Sequence, residues 1–190
     1  MQDINFKKIF LVTMVISLVI SALIGIIVFL LGEFGTTETK LLLTTLIIGI
    51  YSLTGLCSAS LYEKMKFLPF ALFGIVISVM GFFITLLTIW NAIGLKNIWK
   101  MVIILIILAA SSAHISLLLL IDSENVLVNG SLLSTFIAIM FVALMLIIAV
   151  LNNFEDTGEF YFRIVGVFAI LDVIGTIVTP ILNKFYSIKN

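Results

Sequence analysis

Apolar and polar positions along this chain come in long blocks and do not alternate residue by residue. Apolar runs cover positions 9–31, 41–62, 67–90, 99–121, 131–151 and 161–182, each of 21 to 24 residues. About 20 residues rising 1.5 Å each cross a hydrocarbon core of about 30 Å. A membrane segment must satisfy every backbone N–H and C=O internally, so each run is predicted to be a helix. A β-barrel needs alternating segments of about ten residues, and these runs do not alternate. The expected fold is an all-α membrane protein, a bundle of six transmembrane helices forming one polytopic domain over residues 1–190.

The polar breaks are short. Glu33, Gly35 and Glu38 mark the first, and Glu63 to Lys66 form a tight turn ahead of Pro69. Proline there suits the first turn of a helix. Gly94, Lys96 and Asn97 mark the third break, Asp122, Glu124 and Asn129 the fourth, and Glu155, Asp156 and Gly158 the fifth. Aromatic residues gather at the span ends: Phe10, Tyr62 with Phe67, Trp90 with Trp99, Phe160 with Tyr161, and Phe185 with Tyr186. Amphipathic rings prefer the headgroup level. The breaks leave no room for a domain between spans, so any ligand site is expected inside or on the bundle.

Composition agrees with the blocks. Hydrophobic residues make up 63% of the chain and charged ones 11%, against about 45–50% and 25% in soluble domains. Ten basic and ten acidic residues cancel, so there is no field to capture nucleic acid. Cys57 is the single cysteine, which excludes an intrachain disulfide. The first run, after Lys7 and Lys8, is longer than the roughly 7–15 residues of a signal-peptide core. It is read as a retained helix. With both termini in the cytoplasm, Lys7, Lys8, Lys64, Lys66, Lys184 and Lys189 lie inside, and Lys40, Lys96, Lys100 and Arg163 outside. That balance favours this orientation, in the cell membrane.

The halves resemble each other faintly at a period of about 90 residues. Phe6-Lys7-Lys8-Ile9-Phe10 aligns with Leu95-Lys96-Asn97-Ile98-Trp99, and Leu42-Leu43-Thr44-Thr45 with Leu132-Leu133-Ser134-Thr135. Three helices per unit would make a 3+3 inverted repeat of the kind many transporters use.

Helices in lipid associate through small residues that let backbones approach. Such seams are predicted on the first helix at Thr13, Ser17, Ser21 and Gly25 and on the third at Gly74, Ser78, Gly81, Thr85 and Thr88. The second offers Gly55 and Ala59, and the fourth Ala109, Ser112 and Ser116. The fifth is rich in large side chains, including Phe136, Ile139, Met140, Phe141 and Met145. The third helix is therefore expected to be central, and the fifth to face lipid or a partner.

Two ionisable residues fall deep within spans. Asp172 follows Arg163 by nine residues, about 13 Å at helical rise. A carboxylate at that depth costs about 2.5–3.5 kcal/mol. Thr176 and Thr179 share its helix face, and Pro180 frees the Thr176 carbonyl. His114, the only histidine, sits near Ser112 on the fourth helix. The fourth and sixth helices run in the same direction, and the two residues differ in depth by about 4–5 Å. Asp172, His114, Thr176 and Ser112 form the expected intramembrane polar site. Arg163 is expected to snorkel and pair with Glu155 or Glu159.

No enzyme chemistry is indicated. An intramembrane aspartyl protease needs two buried aspartates, and only Asp172 is deep. No Gly-x-Ser-x-Gly or phosphate loop occurs. One histidine and one cysteine do not make a metal or haem site. Asn129-Gly130-Ser131 matches a glycosylation sequon, but on the predicted cytoplasmic side it reads as chance. The expected role is non-catalytic, without cofactor: an accessory or scaffold subunit whose partners are the bilayer and another membrane protein or further copies of itself. The alternative is a small-solute or proton-coupled transporter or channel with Asp172 and His114 on its path.

Overall fold

The computed structural model describes residues 6–31, 35–91, 97–155 and 157–187. They form α1 (Phe6–Leu31), α2 (Thr36–Glu63), α3 (Leu68–Ile89), α4 (Ile98–Leu118), α5 (Val126–Leu151) and α6 (Glu159–Ser187), with no strand among them. All six helices are long and apolar enough to cross a membrane. The chain is thus an all-helical, polytopic integral membrane protein. Helix ends differ from the apolar runs where polar residues continue the helix beyond hydrocarbon. α2 starts at Thr36 behind Gly35, five residues before its apolar run. α6 runs on through Pro180 to Ser187. α4 stops at Leu118 although the chain stays apolar through Ile121.

The chain divides into two compact units, residues 1–113 and 114–190. The division falls inside α4 and not between two sets of three helices.

In the first unit α2 packs against both α1 and α3, the place that the small-residue pattern had given to α3. Its core joins Ile47 and Tyr51 of α2 to Ile77 and Ile89 of α3 and Ala109 of α4. Glycines set the closest approaches. A Cβ on Gly81 would lie 2.8 Å from Tyr51 Cζ, and one on Gly74 would lie 2.9 Å from Ser58 Cβ. Gly74, Ser78 and Gly81 are all buried. Alongside these glycines, hydroxyls bridge the two helices. Tyr51 Oη meets Thr85 Oγ1 at 3.1 Å, and Thr54 Oγ1 meets Ser78 Oγ at 3.0 Å. At one end Trp90 Nε1 donates to Thr44 Oγ1 at 3.1 Å, beneath the Lys40 ammonium.

On α1 the expected seam is not a close contact throughout. A Cβ on Gly25 would meet nothing within 4 Å, and Ser21 is only half-buried. The Ser17 side chain lies outside the described residues. The close approach to α2 is made instead by the Phe10 ring, which fills the space over Gly55.

The turn between α2 and α3 spans four residues, Lys64 to Phe67. Met65 and Phe67 take left-handed backbone, with φ of 53° and 48°. That conformation costs a side chain about 1–3 kcal/mol and persists only where its surroundings enforce it. Pro69 then occupies the first turn of α3.

In the second unit α5 packs along α6. The expectation that α5 faces lipid or a partner with its large residues fails in part. Met140 and Phe141 are exposed, but Ile139 and Met145 are buried with Ala138 and Ala143. Large side chains served as filling because the small ones alternate with them on one face. The Phe141 and Phe168 rings pack with centroids 4.1 Å apart, and Tyr161 Oη donates to the Met145 carbonyl. At the start of α5, Asn125 Oδ1 accepts the Leu127 N–H at 2.9 Å. Asn125→Ala should cost about 1 kcal/mol in detergent unfolding, the usual worth of such a cap. No change in stability would mean that the cap is not formed.

Candidate functional site

The site is built on one face of α6. Asp172, Thr176 and Thr179 stand at spacings of four and three, which align side chains along a helix. Thr176 Oγ1 donates to the Asp172 carbonyl at 2.8 Å and lies 3.3 Å from Asp172 Oδ1. Thr179 Oγ1 donates to the Gly175 carbonyl at 2.7 Å. Bonds of this kind, from a hydroxyl to the carbonyl one turn back, let a polar residue sit mid-helix without an unmet donor. Each then has its oxygen free to accept from another helix.

His114 uses the first of these acceptors. Its Nε2 lies 2.8 Å from Thr176 Oγ1. The roles follow the histidine tautomer: with the threonine proton on Asp172, Nε2–H is the donor. His114 Nδ1 lies 3.7 Å from Asp172 Oδ2. That distance permits a Coulomb contact if the ring is charged, but it is too long for a hydrogen bond. The cluster is only partly enclosed: the Asp172 side chain keeps 17% of its accessible surface and the His114 side chain 32%.

Ser131 of α5 uses the second acceptor, with its Oγ 2.8 Å from Thr179 Oγ1. One turn on, Thr135 Oγ1 donates back to the Ser131 carbonyl at 2.8 Å. Thr135 also fits directly over Gly175, where a Cβ would lie 2.9 Å from Thr135 Cβ. The rotation of α6 on α5 is fixed by this glycine contact and the hydroxyl pair together. A groove beside them, of about 260 Å³, is lined by Ser134, Ile137, Phe168, Leu171 and Val178 among others.

Three of the four expected residues thus meet: Asp172, His114 and Thr176. Ser112 does not join them. It is buried, donates to the Ala109 carbonyl at 2.9 Å, and lies 3.5 Å from where a Gly74 Cβ would be. Two residues along a helix turn a side chain by about 200°, so Ser112 and His114 occupy opposite faces of α4. Ser131, Thr135 and Gly175 are the members that sequence reasoning missed. The signal was the Ser131-x-x-Ser134-Thr135 cluster opening α5, which had served only to align the two halves.

Arg163 Nη2 pairs with Glu159 Oε1 at 2.7 Å, both side chains exposed, at the start of α6. It takes no part in the polar cluster. Among the described residues, no three His, Cys, Asp or Glu side chains gather as a metal site would need. No family model matches the chain, and no curated protein or solved structure matches it either.

Proposed function

We propose that this chain is a non-catalytic accessory or scaffold subunit of a membrane complex, set in the cell membrane with both termini in the cytoplasm. One observation carries the reading. Among the described residues, every buried side-chain nitrogen and oxygen has a hydrogen-bond partner. The buried hydroxyls inside the spans are spent on one another and on backbone carbonyls. Tyr51 with Thr85, Thr54 with Ser78, and Ser131 with Thr179 each tie one helix to the next. Such bonds are worth only about 0.6 kcal/mol each on average in membranes. Their use is to fix rotation and register, which suits a chain that presents helix surfaces to others.

Purification in mild detergent tests this. The chain should leave the membrane in a stoichiometric complex with a second, larger protein. Isolation as a homogeneous homo-oligomer with a water-lined cavity reaching Asp172 would overturn it.

The 3.7 Å approach of His114 Nδ1 to Asp172 Oδ2 favours a second reading, a small proton-coupled transporter. There the two groups would exchange a proton as solute passes. Proton flux into vesicles holding the purified chain, abolished by Asp172→Asn, would establish that reading over the first.

A further inference from the structure

Asp172 lies nine residues after Arg163 and twelve before Lys184, about 13 Å and 18 Å along α6 from those charges. It therefore sits near the middle of the hydrocarbon, and His114 meets it there. One end of the ring is held, with Nε2 2.8 Å from Thr176 Oγ1. At the other end Nδ1 faces Asp172 Oδ2 at 3.7 Å. A ring with its proton on Nδ1 would close on the carboxylate to about 2.7–2.9 Å, the usual length of a charge-assisted bond. The wider gap suits the other tautomer, in which Nε2 carries the proton and the Nδ1 lone pair faces the carboxylate. Two electron-rich atoms then stand opposite each other, and the pair carries a net negative charge in hydrocarbon. The other titratable groups of these helices stand apart. α5 carries none from Val126 to Leu151. On α6, Glu159 and Arg163 pair with each other at its start, Tyr161 bonds the Met145 carbonyl, and Lys184 and Tyr186 lie near its end. On the His114 side, Lys100 lies fourteen residues earlier and Asp122 eight residues later, beyond the end of α4.

We propose that His114 and Asp172 together bind one proton from the aqueous phase, and that this proton latches the end of α4 onto α6. On Nδ1 the proton makes an imidazolium beside a carboxylate. On Oδ2 it makes a carboxylic acid that donates to a neutral ring. The two forms differ only in where one proton sits, so the site titrates as a pair. Either form cancels the negative charge, as ionisable groups within membranes do by pairing. Either also supplies a hydrogen bond between Nδ1 and Oδ2 and draws them from 3.7 Å to bonding distance. Both side chains keep accessible surface, so protein does not wall the pair off. Thr176 is a positioning residue: by accepting Nε2–H it turns Nδ1 toward the carboxylate. His114 stands four residues before the end of α4 at Leu118, so the latch acts on the last turn of that helix. The tie is tight in acid and slackens as the pH rises through the titration of the pair. It holds whether or not the chain serves a larger complex, and it differs from the transporter reading, in which the proton is passed on.

His114 is the only histidine, so the full chain with isotope-labelled imidazole nitrogens gives a single ring to follow by magnetic resonance. In phosphatidylcholine nanodiscs it is followed from about pH 8 to about pH 5, the range in which histidine titrates. Nε2 should carry a proton throughout. The Nδ1 signal should pass from that of a bare lone pair to that of a nitrogen sharing a proton as the pH falls. An Nδ1 signal that does not move, or titration at Nε2 instead, overturns the proposal. That measurement uses the unaltered chain, so a poorly folded variant does not mask it. The latch itself is read by reversible unfolding in mixed micelles between the same pH limits. From acid to alkaline pH the unfolding constant should rise about ten-fold more in the unaltered chain than in His114→Gln or Asp172→Asn, the scale of one hydrogen bond to a charged group. Equal pH dependence in all three overturns the latch. Thr176→Val should let the alkaline ring mix its two tautomers, and Thr176→Ser should restore one; a valine variant that keeps one tautomer overturns the positioning role. Steady proton flux into vesicles holding the chain, abolished by Asp172→Asn, would overturn a resident proton in favour of a transported one.

Discussion

Leucine at Gly81 is expected to destabilise the packing of α2 on α3 by about 3 kcal/mol, the upper part of the usual range for overpacking. Even a Cβ there would stand 2.8 Å from Tyr51 Cζ. Tyr51 is 3% exposed and held through its hydroxyl by Thr85, so the ring has nowhere to turn. In a soluble core, added apolar atoms would recover some transfer energy. In a bilayer the separated helices already lie in hydrocarbon, so the change is steric cost alone. Unfolding in mixed micelles should show the loss. A double-mutant cycle sharpens it: Gly81→Ala should be costly in the native background and nearly neutral beside Tyr51→Ala. Equal cost in both would show that the ring does not sit on the glycine.

The second large effect is expected at Gly175, where leucine would press α6 away from Thr135 of α5. A Cβ would already lie 2.9 Å from Thr135 Cβ and 3.1 Å from Cγ2, and neither atom is the far end of a flexible chain. The cost should again be about 2–3 kcal/mol. Here the consequence reaches the polar cluster. Thr176 and Thr179 follow Gly175 within about one turn on the same helix, so a shift of α6 should open the Ser131–Thr179 and His114–Thr176 contacts together. Hydrogen exchange along α6 should rise in parallel with the loss of stability. Thr135→Gly should restore both. If Gly175→Leu leaves exchange at Thr176 unchanged, the glycine contact does not set the site.

Hydropathy showed the six spans because desolvation acts on whole segments and leaves a long record. Helix ends were less visible, since hydropathy registers the slab of hydrocarbon and not the backbone. Thr36 to Lys40 are helical but polar, while Leu119 to Ile121 are apolar but outside α4. Small-residue spacing identified Gly74, Ser78 and Gly81, which are buried. It could not say whether a neighbour stands opposite, and at Gly25 none comes within 4 Å. For the site, depth and helix direction brought His114 to Asp172. The hydroxyl arrangement was hidden because Ser131 and Thr135 are distant in sequence, and only the α5–α6 contact brings them to Thr179 and Gly175.

The four-residue turn from Lys64 to Phe67 bears on how the chain is made. α2 is the least apolar of the six spans and carries Thr45, Tyr51, Ser52, Thr54 and Ser58 as buried polar residues. Tyr51 and Thr54 find their cross-helix partners on α3. During synthesis α2 would meet the lipid with those hydroxyls unbridged, and the turn leaves no slack for a long wait. α2 and α3 should therefore leave the translocon as one hairpin, with the strained residues Met65 and Phe67 at its tip.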